Sequence, residues 1–472
     1  MAASRVIVLG SQFGLMLVAA RFLGPAQFGL YTLLTSTALL ASSTARAGWM
    51  ECIMTAKSAT ESAQANTLAL GGGLIAVALG IVAAVVFGFV ESDPVAVHSA
   101  YALVASLLPA CIAAPQHGVL MGRQRVVRLG QSQIVAELTS LAIGVICLNL
   151  HWGMLGLAVA KLASEATSCA LLVISTRWYP LARLDIATCR RLLRVWRNFA
   201  SANLMSLMSG TASVYLLGAF AGPADTGIYR AGVRFSGVAS ELITEPSRVT
   251  YWAVLKAAYD QGGRKGIAAA AVPLSATTML FGAPLAIGLA STSDTLVAAA
   301  LGGEWKDAGP VVALTALAII PRLPTFLGHS VLTLTGHDRL VPRLTLWNSI
   351  VSLGCLAASV SFGAVWVSIG SLAANLLYLP ICVMIMRVVE ELRWKDVFKR
   401  YVPILTASLV MVALVRALPF VAPSVPPAWM LLAQVVLGAV AYLGSLYWLA
   451  PQDFRSAVAL VPYRRVRSWV TR

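Results

Sequence analysis

Stretches of about 20 mostly apolar residues recur along the whole chain, separated by short loops that carry most of its charge. Lipid offers a backbone amide no hydrogen-bond partner, so a chain built this way crosses a membrane as helices that pair their own amides. Of the 472 residues, 58% are hydrophobic and 11% charged, more apolar surface than a soluble core takes up. The first half supplies spans at residues 6–20, 28–48, 67–90, 95–118, 134–149 and 154–175. The second half supplies 199–220, 228–253, 267–291, 310–335, 346–362, 365–386, 402–418 and 429–449. The expectation is an all-α polytopic membrane protein with about 14 transmembrane helices.

A repeat divides these spans. Gly24-Pro25-Ala26-Gln27-Phe28-Gly29-Leu30-Tyr31 returns 198 residues later as Gly222-Pro223-Ala224-Asp225-Thr226-Gly227-Ile228-Tyr229. Gly122-Arg123-Gln124-Arg125-Val126-Val127-Arg128 is echoed at an offset of 214, with one residue inserted, by Gly336-His337-Asp338-Arg339-Leu340-Val341-Pro342-Arg343. The first pair opens spans two and eight, an even offset, so the halves insert the same way up about an axis along the membrane normal. Two six-helix bundles related by a pseudo-two-fold axis are expected at 1–180 and 199–390. A basic cytoplasmic linker at 181–198 joins them. Two additional helices and a basic tail occupy 391–472.

Basic residues orient the chain. With the N-terminus in the cytoplasm, Arg123, Arg125 and Arg128 lie inside, as do Arg190, Arg191, Arg194 and Arg197 and, later, Arg393, Lys395, Lys399 and Arg400. The outer loops keep only Arg21, Lys306 and Arg416. This is the positive-inside pattern, and it puts both termini in the cytoplasm. The net charge of +16 then faces an anionic leaflet, and no nucleic-acid surface is expected. Arg5, a short apolar core and Val18-Ala19-Ala20 have the look of a signal peptide, but span one is the repeat partner of span seven, which argues against its removal. The seven cysteines are scattered and form no CxxC, so they read as apolar fillers, with no metal or cofactor expected. No HExxH, phosphate loop or large aqueous loop supports an enzyme.

Polar residues inside spans are costly and mark function or pairing. At about 100° per residue, Arg230, Arg234, Glu241, Glu245 and Arg248 of span eight share a face about 60° wide over about 27 Å of helix. Pro246 is expected to bend its last turn. Snorkelling at the two ends accounts for Arg230 and Arg248 as readily as function does. The deeper Arg234, Glu241 and Glu245 read as lining a water-filled path. Span ten holds Arg322 between Pro321 and Pro324, with His329 two turns on, a broken helix that serves either a site or a hinge. Lys161 and Glu165, four apart in span six, read foremost as a structural pair. Glu137 and the histidines His98, His117, His151 and His337 read as interfacial.

Ala20-Arg21-Phe22-Leu23-Gly24-Pro25 with Phe28-Gly29-Leu30-Tyr31 resembles the N-terminal signature of bacterial polysaccharide (O-antigen-type) flippases. These belong to the multidrug/oligosaccharidyl-lipid/polysaccharide exporter superfamily. Asp225-Thr226-Gly227-Ile228-Tyr229, Gly122-Arg123 and Leu301-Gly302-Gly303-Glu304-Trp305 fit the same family. The resemblance implies a flippase that carries undecaprenyl-diphosphate-linked oligosaccharide across the bacterial inner membrane by alternating access, for O-antigen, capsule or exopolysaccharide synthesis. Arginines suit the diphosphate because they donate paired hydrogen bonds to its oxygens. Arg234 is then the leading contact and Arg230 an outer relay, with Arg322, Arg21 and Arg248 contributing. Glu241 and Glu245, with His329, Lys161 and Glu165, balance charge or take up a coupling proton. A lipid-linked substrate would enter between spans one and eight. Membrane lipids, a polysaccharide polymerase and a chain-length regulator are the expected partners. A multidrug or small-molecule cation antiporter of the same superfamily and a non-transporting scaffold are the alternatives.

Overall fold

The apolar runs expected to be spans lie almost wholly on helix, and several breaks between helices fall at a glycine or a capping side chain, as at Gly48, Ser58, Asp93 and Asp185. The computed structural model describes residues 2–389, 391–449 and 451; the side chains of 2–5, 45, 202, 205, 206, 208, 209, 245, 246, 248, 249 and 329 fall outside that description. The helices are α1 (Ala2–Arg46), α2 (Trp49–Met54), α3 (Ala59–Val90), α4 (Pro94–Ala105), α5 (Leu107–Gly122), α6 (Val126–Asn149) and α7 (Gly153–Thr176). They continue as α8 (Ile186–Phe220), α9 (Gly222–Ser291), α10 (Ser293–Ala300), α11 (Ala308–Leu317), α12 (Ile319–Arg322) and α13 (Phe326–Leu334). The last are α14 (Val341–Ser359), α15 (Ala364–Met386), α16 (Trp394–Val421) and α17 (Pro427–Leu449). No strand occurs among the described residues.

Eleven stretches are long and apolar enough to cross a membrane among the described residues, as a multi-pass membrane protein requires. Three places account for the distance from about fourteen. Spans one and two fall in one stretch, Val6–Met54, because the chain stays helical across a kink at Gly24. Span seven lies on the continuous helix α8, where Gly210–Phe220 is its part free of side chains outside the description, and span eight carries too much charge to count.

The chain divides into two compact units, Met1–Arg230 and Ala231–Arg472. In the first, Trp49, Cys52, Ala65, Ala69 and Leu192 form one buried cluster, and the Trp49 ring stacks on Trp196 with centroids 6.4 Å apart. Residues 177–185 are not helical. They run as a strap along α3, whose Gln64 and Asn66 amides donate to the carbonyls of Arg183 and Pro180, each at 2.9 Å. Thr67 accepts from the Ala182 amide at 3.1 Å. Glu61, buried at the start of α3, pairs with Arg191 on α8. The basic stretch expected at 181–198 is therefore part strap and part helix, since α8 begins at Ile186 with Asp185 as its cap.

The repeat has a direct structural meaning inside the first unit. Gly24 and Gly222 hold equivalent places and both adopt positive φ, 65° and 88°, where a side chain is strained. Pro25 and Pro223 come next, at the opening of a helix, where the missing amide proton costs nothing. Four residues after each proline, a β-carbon at Gly29 would collide with the Pro223 carbonyl, and one at Gly227 would collide with the Pro25 carbonyl. The two copies of the turn cross each other reciprocally, at a distance only glycine permits. Nearby, Leu33 fills the space beside Gly218, and the Tyr215 hydroxyl donates to Thr37 at 3.2 Å, so α1 and α8 pack together.

The second unit surrounds one large core built from Tyr251, Leu255, Ile267, Leu327, Val397 and Tyr401 among others. The Tyr442 hydroxyl donates to the Leu280 carbonyl at 2.7 Å and ties α17 to α9. Helix α9 breaks at Gly263, where φ is 58°. Its backbone stays helical through position 246.

Candidate functional site

Two sets of intramembrane charges emerge, and their surroundings differ. In the first unit the spacing of Lys161 and Glu165 on α7 produces a salt bridge of 2.6 Å. A second cation joins it: Arg46, the last residue of α1, reaches the other carboxylate oxygen at 3.9 Å. Its Nε also donates to the Ser42 carbonyl at 3.3 Å, which fixes the guanidinium over its own helix end. His117 on α5 stands in electrostatic range of both Arg46 and Glu165. One carboxylate thus answers two cations, each paired with it and one positive charge left over.

Arg46 is absent from the residues that sequence alone picks out, although an arginine inside span two is the signal that marks it. Glu137 also gains a partner. It accepts from the Gln12 amide of α1 at 2.9 Å, so it holds α6 to α1 rather than only reaching the interface.

Helix α9 carries the second set. Counted from Arg230 at about 100° per residue, Arg234 and Glu241 lie at about 40° and 20°. The buried positions Ala231, Phe235, Ala239 and Ile243 recur every four residues, at about 100° to 220° in the same frame. They are the packing face: Gly232 lies against Val311, and Ile243 with Leu323 lies against Gly282. By helical periodicity Arg234 and Glu241 thus fall outside the arc of these packing positions. Arg230, Arg234 and Glu241 are each half-buried. The side chains of Glu245, Arg248 and His329 lie outside those described.

Span ten breaks as its prolines require. Helices α11, α12 and α13 succeed one another with a 3-10 turn at Leu323–Thr325. Pro321, Leu323, Pro324 and Thr325 are buried, while Arg322 turns outward with its guanidinium carbon 5.8 Å from the centre of the Phe326 ring. That stacking holds the cation in one direction without neutralising it. Arg21 is exposed on α1, one turn before the crossing of the repeated turns. No group of three potential metal ligands occurs among the described residues, and all seven cysteines are free thiols.

The sequence model of a family described as "Polysaccharide biosynthesis protein" matches residues 18–310, more than half of the chain. No curated protein matches the sequence. Among solved structures, the lipid II flippase MurJ in its inward closed conformation superposes with a TM-score of 0.77. It is 12% identical, and the match covers 96% of this chain and 100% of that one. An inward-facing multidrug resistance MATE transporter of the MOP superfamily gives a TM-score of 0.61 at 14% identity, covering 82% of this chain and 96% of its own. A MOP-superfamily transporter from Pyrococcus furiosus, described as having a binding pocket of reverse polarity, gives 0.52 at 15% identity, covering 83% and 95%. At such identities the likeness is one of fold: the chain has the architecture common to MurJ and the MATE transporters.

Proposed function

The chain belongs to the polysaccharide biosynthesis protein family, and from that premise we propose that it is a flippase for lipid-linked oligosaccharide. Its substrate is an undecaprenyl-diphosphate-linked sugar unit, moved by alternating access across the bacterial inner membrane, with about 14 crossings and both termini in the cytoplasm. The chain performs no covalent chemistry; it supplies a path. A polysaccharide polymerase and a chain-length regulator are its partners downstream.

One observation carries this reading: a row of charges on α9 set opposite the helix's packing face. Charge within a span is retained where it lines a polar path, and a diphosphate needs positive charge along that path. Arg234 is the main contact, Arg230 and Arg21 assist toward one end, and Arg322 contributes a cation held over Phe326. Glu241 balances these arginines when the substrate is absent. Alternating access of this kind fits a fold that MurJ shares, and MurJ is named for flipping lipid II.

The test is polysaccharide export in cells whose only copy is Arg234→Ala, with membrane levels of the variant checked alongside. Export is expected to cease while insertion stays normal. Full export by a well-expressed variant would sink the assignment. Uptake of a lipophilic cation by proteoliposomes, undisturbed by lipid-linked oligosaccharide, would move the reading to the antiporter.

A further inference from the structure

The second unit holds a groove that the path along α9 does not use. It forms where α9 resumes after Gly263, beside the turn before α16 and the first turns of α16, and measures about 710 Å³. Its floor is apolar and shallow because the residues are small or stiff: Ala268, Ala269, Val272 and Pro273 on one side, Pro403 on the other. Its rim carries three cations, Arg393, Lys399 and Arg400, with two carboxylates, Glu391 and Asp396. None of these five forms an ion pair among the described residues, although opposite charges crowd one rim.

The groove is closed on the inside and open on the outside. Below its floor the Ser275 and Tyr401 hydroxyls hydrogen-bond to each other, both buried, and Ile267, Ala271, Val397 and Ile404 seal the contact between α9 and α16. Outward, Ala269 and Pro273 begin an exposed, mostly apolar stripe that passes Thr277, whose hydroxyl is turned back onto the Pro273 carbonyl, and continues along α9 to Phe281 and Leu285. Val402 and Leu409 run parallel to it on α16. A headgroup-sized charged recess thus opens onto a lipid-facing seam.

We propose that this groove binds a glycerophospholipid whose zwitterionic headgroup ends in a primary ammonium. The phosphate sits against Arg393, Lys399 and Arg400, whose donors match its oxygens. The ammonium lies between Glu391 and Asp396, and an acyl chain runs along the stripe from Ala269. Continuity of the floor with the stripe selects a lipid over a free phosphate. The two carboxylates select the ammonium-bearing headgroup, because a purely anionic one would leave them unpaired and repelled. Such a site does not depend on what the chain transports.

The probe is phosphatidylethanolamine, offered to the full chain in nanodiscs together with phosphatidylcholine and phosphatidylglycerol, with retained lipids counted by native mass spectrometry. The ethanolamine lipid should be retained about threefold to tenfold over the choline lipid, which has no N–H to donate. Arg393→Gln with Lys399→Gln and Arg400→Gln should lower its retention by a similar factor. Glu391→Gln with Asp396→Asn should erase the preference for ethanolamine over choline while phosphate-dependent retention remains. Equal or greater retention of phosphatidylglycerol by the wild-type chain overturns the proposal in favour of a plain anion site. Displacement of the lipid by soluble phosphoethanolamine at matched concentration overturns it too, because the acyl chain would then contribute nothing. The lipid ranking on the unmodified chain decides the matter even where a variant folds poorly.

Discussion

The two copies of the repeated turn share a backbone and differ in the helix each one opens. Both place a positive-φ glycine before a proline, and both present a glycine to the other's proline carbonyl. Past Tyr31 and Tyr229 they part. At positions equivalent to Arg230, Arg234, Glu241, Glu245 and Arg248, the first copy has Thr32, Ser36, Ser43, Ala47 and Met50. Thr32 and Ser36 are buried, and the Thr32 hydroxyl donates to the Phe28 carbonyl at 2.8 Å, so its small hydroxyl is satisfied by its own helix. The element that both copies keep is steric, while the row of charges belongs to the second; the helix that the first opens carries a single arginine, Arg46, at its end. A duplicated chain can thus preserve the crossing that builds it while specialising a single helix for a polar task.

Substitutions in each copy put that contrast at risk. The largest effect is expected at the shared element. Gly29→Ala and Gly227→Ala each push a methyl into a backbone carbonyl that cannot turn away, at a cost of roughly 3 kcal/mol or more. Thermal unfolding in detergent should show the two variants equally damaged. A silent Gly227→Ala beside a crippling Gly29→Ala would show that the crossing is not reciprocal.

At the element that differs, Arg234→Ala should leave unfolding unchanged and reduce export on the order of 30-fold or more, as losing a buried charge contact does. Ser36→Ala, its counterpart in the first copy, should export normally. If both variants lose export alike, the division of labour between the copies is wrong.

The ion-paired cluster of the first unit predicts the opposite profile. Glu165→Gln leaves Arg46 and Lys161 facing each other, and should cost about 1–2 kcal/mol, discounted for the partial exposure of both cations. Lower thermal stability with retained export per folded molecule is expected. Export that stops at unchanged stability would assign this cluster to transport instead.

The smallest effect concerns the start of α8, which leads into the second copy. Hydrogen bonds from the Thr188 amide and hydroxyl hold the Asp185 carboxyl below its usual range. A depressed carboxylate contributes stability above the ordinary carboxylate range and loses it as pH falls through the folded value. Asp185→Asn should therefore flatten the acid limb of the stability profile, with a small loss near neutrality that vanishes in acid, where the wild-type carboxyl is protonated as well. An unchanged acid limb in melting curves recorded across pH would remove this contribution.

Much of the architecture was legible because lipid imposes one rule on every span: apolar side chains outside and backbone amides paired within. The one-sided charges of α9 were legible too, because helical periodicity places them without reference to any neighbour. Arg46 was harder, since its partner Glu165 lies on a helix far along the chain. The strap at 177–185 was hidden for a similar reason, because Gln64, Asn66 and Thr67, which bind it, lie more than a hundred residues away and nothing local marks them.

Local composition and the period of the helix were enough to establish a helical membrane protein, the course of its helices, the repeat of its halves and the face of α9 that bears charge. Neighbours along the chain settle such properties among themselves. Folding in three dimensions was needed to show that the repeated glycines meet and that Arg46 joins Lys161 on Glu165. Each of these is a contact between segments distant in sequence, governed by packing and carbonyl position rather than by periodicity.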